Sequence, residues 1–165
     1  MLDTTAASAL ATQVVITPDA LLRHWQGHRR LTRLVIEAFP ADEFDALTIG
    51  GMRPFSALAK EVLGMAMPTV HGIVTGDWAA YAAADMTTKA DIVAAWDRTT
   101  TELELSFPQI PLAKFGETVT AFGQWTMPVH DLLLYVIDNE VHHRGQGYVY
   151  LRALGIEPPA FWQRV

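Results

Sequence analysis

TMPVHDLLLYVIDNEVHHRGQGYVYLRALGIEPPAF, residues 126–161, is the stretch whose periodicity decides the fold. It has the marks of one long helix. Thr126 can cap the N-terminus, and Pro128 falls in the first turn, where a missing N–H costs nothing. Gly155 follows the last apolar residues and Pro158 comes three later, a normal helix stop. Between these signals Val129, Leu132, Val136, Asn139, His143, Gln146, Tyr150 and Ala153 recur at alternating steps of three and four, a seam facing the core of a bundle. Three polar residues, Asn139, His143 and Gln146, interrupt the middle of that seam. Asn139 and His143 stand one turn apart and point the same way. Buried polar groups need partners, so this is where chemistry is sought first.

Working outward, the 165-residue chain is the size of one domain with a sizeable core, taken as residues 1–165 with an N-terminal arm at 1–16. Thr17-Pro18-Asp19 opens a first helix that runs to about Phe39, with Leu21, Trp25, His28, Thr32, Val35 and Phe39 as its inner stripe. Residues 40–52 read as a loop. A second helix starts near Arg53-Pro54, with Leu58, Glu61 and Met65 on one face, and Pro68 kinks or ends it. Thr88 caps a third helix from about Lys89 to Leu105, striped by Ile92, Trp96, Thr99 and Leu103. Residues 117–122 alternate enough for a short extended piece. Four main helices and no repeat predict an all-α four-helix bundle.

Composition removes several functions. The formal charge of −6 and scattered basic residues argue against a nucleic-acid face. The absence of cysteine excludes disulfides, zinc knuckles and thiol nucleophiles. No apolar run approaches a membrane span, and the N-terminus lacks the basic residues of a signal peptide, so the expected location is the cytoplasm. Only 18% of residues are charged, against a usual quarter. With five tryptophans and the apolar end Phe161-Trp162, this predicts a homodimer.

The leading site candidate joins His143 and Asn139 to Glu61, which breaks the Leu58–Met65 face of the second helix. Imidazole and carboxylate are common ligands of divalent transition metals, and helix positions four apart can serve one ion. Met65 and Gln146 would line the same pocket. The alternative is a Glu–His–Asn hydrogen-bond cluster without an ion, because the Asn amide is a poor ligand for zinc or nickel. Other pairs read more plainly. Glu140 and Arg144 suggest an intrahelical ion pair, His142 and Asp138 a surface pair, and His24 and His28 one solvated and one core histidine. Gly145-x-Gly147 lacks the strand-to-helix setting of a phosphate loop.

The run NEVHHRGQGYVYLRALGIEPP closely resembles the C-terminal helix of the DinB/YfiT-like family, and the order of the other segments fits over most of residues 17–162. The resemblance implies a four-helix bundle with a long crossover connection and frequent homodimers. It implies a divalent-metal site, zinc or nickel, made by one histidine on the second helix and a His-x-x-x-His pair on the last. His143 falls on the second histidine of that pair, Asn139 on the first, and Glu61 on the second-helix histidine. Two functional classes follow. One is a metal-dependent transferase, acting on a low-molecular-weight thiol, or a hydrolase. The other is a non-catalytic stress-associated bundle whose polar centre fixes helix register or borders a small-ligand pocket.

Overall fold

In the computed structural model, residues 15–78 and 86–164 are described. The helix starts and stops are built from local chemistry. Helix α1, Pro18–Ala38, begins where Thr17 Oγ1 accepts the Ala20 N–H at 3.2 Å. It ends before Pro40. A short α2, Ala41–Ala46, occupies part of the segment expected to be loop and sets Phe44 into the core. Helix α3, Phe55–Thr75, stops at Gly76, whose φ of 81° suits glycine. Pro68 neither ends this helix nor shortens it. Thr88 and Asp91 form a reciprocal capping box that starts α4, Lys89–Ser106. Residues 1–14 of the expected arm lie outside the described residues.

The crossover from α4 to the last helix passes two 3-10 turns, Phe107–Gln109 and Leu112–Gly116. A two-stranded antiparallel hairpin follows, β1 at Thr118–Ala121 and β2 at Trp125–Pro128. Helix α5 then runs over Val129–Ala153. Thr126 is therefore a strand residue opposite Thr120, not a helix cap. The helix begins instead where the Val129 N–H donates to the Glu117 carbonyl at 2.9 Å, which ties it to the start of β1. The far end closes as expected: Gly155 has a φ of 74°, and Ile156 N–H reaches back to the Leu151 carbonyl at 2.9 Å.

Helices α1 and α3 each pack against both α4 and α5, which makes a four-helix bundle. Two apolar clusters fill it. One centres on Phe39, Phe44, Phe55 and Trp96, the other on Trp25, Ile73, Phe107 and Leu133. Between them, α1, α4 and α5 carry buried polar residues: Arg29 and Thr32, Thr99, and Glu140 with Arg144. Two glycines permit close approach. A Cβ on Gly147 would stand 2.5 Å from the Phe55 ring, and one on Gly72 would stand 2.3 Å from Trp78. Gly147 thus serves helix packing. Among the described residues no helix is long and apolar enough to cross a membrane.

Candidate functional site

Glu61 projects from α3, one turn before the cavity-lining Met65, and meets three residues of α5. His143 Nε2 donates to Glu61 Oε1 at 2.9 Å, and Asn139 Nδ2 donates to the same oxygen at 3.2 Å. The Gln146 amide lies 2.8 Å from the other imidazole nitrogen of His143. Arg53, just ahead of α3, pairs its guanidinium with Glu61 Oε2. Burial works against ionisation of Glu61, but the hydrogen bonds from Arg53, His143 and Asn139 outweigh it and hold the carboxyl down at about 2. Glu61 is a carboxylate at any physiological pH. Its two oxygens already take three donors.

These residues do not fit a tightly held divalent ion. The His143 nitrogen facing Glu61 donates to the carboxylate in this arrangement, so a metal would have to displace that hydrogen bond. A guanidinium occupies the other carboxylate oxygen, which a metal would need free. Asn139 offers an amide in place of the imidazole that the family pattern would put there. Among the described residues no three His, Asp or Glu side chains gather at one point.

Beside this cluster opens the cavity that the geometry favours as a binding site. Its volume is about 450 Å³, and its wall is mainly apolar. Helix α3 supplies Glu61, Gly64, Met65 and Thr69. The hairpin supplies Phe122, Trp125 and Met127, and α5 supplies Tyr135 and Asn139. Glu61 and Asn139 are thus shared between cluster and cavity. His143 and Gln146 are not in the wall; Gln146, expected to line a pocket, instead contacts His143. Two polar atoms of wall residues, Asn139 Oδ1 and Thr69 Oγ1, are buried without a hydrogen-bond partner, a state native proteins seldom leave unexplained.

The hairpin is held to the cavity at a local cost. Phe122 has a φ of 52°, in the left-handed region that a bulky side chain avoids. Its ring sits edge-on to Trp78 at 5.5 Å and to Trp125 at 6.2 Å. Strain of this kind collects where surrounding contacts over-determine a residue, often at a site. The first strand falls on the extended piece expected at residues 117–122, while the second, only four residues long, was missed by periodicity. The available signal was Gly123, a turn glycine between Val119 and Met127, which pair across the strands.

A second polar group lies deeper. Glu140 is fully buried, accepts from Thr32 Oγ1 at 2.7 Å and Trp25 Nε1 at 3.3 Å, and has Arg29 at 3.9 Å. Arg144 donates to the His28 carbonyl and to Thr32, and it faces His28 Nδ1 at 3.0 Å. Glu140 and Arg144 are therefore core residues, each partnered mainly across to α1 rather than in the expected ion pair along one helix. Burial pushes the Glu140 carboxyl up, opposed by Arg29, Thr32, Arg144 and Trp25. His28 is buried and His24 exposed, with 3.1 Å between their Nε2 atoms. Asp138 and His142 are exposed.

Residues 1–164 match the family described as the DinB family. No curated protein matches the sequence. Two solved structures share the fold. A DinB-like protein from Bacillus subtilis has a TM-score of 0.70 and 22% identity, over 88% of this chain and 99% of that one. A DinB-like protein from Bacillus cereus has a TM-score of 0.68 and 17% identity, over 86% of this chain and 95% of that one. At these identities the likeness carries the fold and nothing about activity.

Proposed function

The chain belongs to the DinB family, and on that premise we propose that it is a binding member, which takes a small, largely apolar molecule into the cavity between α3, α5 and the hairpin. The observation that carries this reading is the wall itself: apolar side chains around a charged, hydrogen-bonded floor of Glu61 and Asn139. Ligand sites commonly have this make-up and this size. On this reading Arg53, His143 and Gln146 hold Glu61 in place and leave its charge at the edge of the cavity.

A metal-dependent transferase or hydrolase, with Glu61, Asn139 and His143 as ligands and a thiol as substrate, is the competing reading. It is favoured by the 2.9 Å approach of Glu61 and His143 and by the unpartnered Asn139 Oδ1. The Arg53 pairing weighs against it. A homodimer accords with either reading. The exposed apolar residues Leu134, Val141 and Val149 on α5, with Phe161 and Trp162 beyond it, offer an interface.

Binding is tested with N-phenyl-1-naphthylamine, a neutral dye that brightens in apolar surroundings. Wild-type protein is expected to bind it saturably, one per chain. Gly64→Leu, which fills the cavity where nothing lies within 4 Å of a new Cβ, is expected to abolish binding. Unsaturable binding, or binding untouched by Gly64→Leu, would overturn the proposal.

A further inference from the structure

We infer that the ligand of this cavity is an organic ammonium ion, a positively charged nitrogen carried on a short apolar body. The inference rests on the proposed binding role and adds the chemical class. Three aromatic side chains, Phe122, Trp125 and Tyr135, share one wall. The faces of such rings attract a desolvated cation, and quaternary ammonium recognition by clustered rings is their common use. The formal charges in the wall are limited to Glu61, which is negative. Its partner Arg53 is outside the wall and more than half exposed, so water screens the guanidinium charge.

Asn139 Oδ1, buried and without a partner, can only accept a hydrogen bond. The wall thus gathers a carboxylate, the Asn139 amide oxygen and three aromatic rings, with the Gln124 amide and the Thr69 hydroxyl, which can donate or accept, beside them. No lysine, arginine or histidine side chain belongs to it. An anion would meet the Glu61 carboxylate there. Met65 and Met127 add polarizable sulfur to the wall, which suits a bulky alkylated nitrogen.

The test compares choline with 3,3-dimethylbutan-1-ol, its neutral counterpart of the same shape, as displacers of the naphthylamine dye. Wild-type protein is expected to bind choline roughly tenfold more tightly than the alcohol. Trp125→Leu and Tyr135→Leu are each expected to reduce that preference, read as the ratio of the two affinities measured on the same variant. Both side chains are about half exposed, so these variants keep the core intact. Equal displacement by the two compounds, or tighter binding of the alcohol, would overturn the ammonium inference and leave the binding role standing. A preference for choline that survives both substitutions would also overturn it. Failure of the dye itself to bind would remove the binding role and the inference together.

Discussion

His28 shows how much a single buried side chain can impose on this bundle. Desolvation, followed by the nearby charges of Arg144, His24 and Arg164, pulls its pKa from 6.5 down to about 3. The unfolded chain therefore binds a proton at this residue below pH 6.5, whereas the folded chain refuses it until about pH 3. Stability from His28 is complete above pH 6.5 and is lost as pH falls, at about 1.4 kcal/mol per pH unit within that window. His28→Asn keeps an acceptor for Arg144 and removes the titration. Melting curves between pH 7 and 5 are expected to fall more steeply for wild type than for His28→Asn; parallel slopes would contradict the account. Glu61 acts lower on the scale. Its stabilisation is present above the ordinary carboxylate value of 4.5 and disappears as pH drops toward 2, so Glu61→Gln is expected to flatten that acid limb. Glu61, Asn139 and His143 were legible because each breaks an apolar seam. Glu140 and Arg144 were not, because a charged pair at helical spacing on a polar-rich face looks like a solvated one. Only the packing of α1 against α5 reveals Arg29 and Thr32 as their partners.

At the scale of elements, α3 and α5 approach through a single glycine. Gly147 faces Phe55, whose ring also stacks on Phe39 at 4.7 Å, so the ring has no free direction in which to retreat. Gly147→Ala gains helix propensity but forces α3 and α5 apart, and the net effect is expected to be a loss of about 1–3 kcal/mol. Urea denaturation of the variant checks this, and an unchanged or raised midpoint would refute it. Helix ends were readable from Thr17, Thr88 and Gly155, because caps and stops act within a turn and leave their mark in local sequence, whereas the stop of α3 at Gly76 was not. The start of α5 was misplaced for a complementary reason. Thr126 and Pro128 fit a cap and a first turn equally well as they fit a strand, and only pairing with Thr120 and Thr118 decides between the two.

For the whole molecule, the bundle was legible because four amphipathic stripes demand one another's company, while the cavity was not. It is made by a crossover hairpin folding against α3 and α5, a tertiary event without a period of its own. Low charge and an exposed apolar strip on α5 lead us to expect a homodimer, which light scattering would report as about twice the 18.2 kDa chain mass. A monomer mass at micromolar concentration would refute that assignment without touching the cavity. The central claim is that Glu61 and its partners form the hydrogen-bonded floor of a small-molecule site and not a metal centre. Anomalous diffraction at the zinc edge, from crystals of untagged protein soaked with zinc and N-phenyl-1-naphthylamine, tests it most directly. The account predicts dye density between Met65, Trp125 and Tyr135, Arg53 still paired with Glu61, and no zinc peak at His143. A zinc peak bridging Glu61 and His143, with Arg53 displaced and the cavity empty of dye, would contradict it.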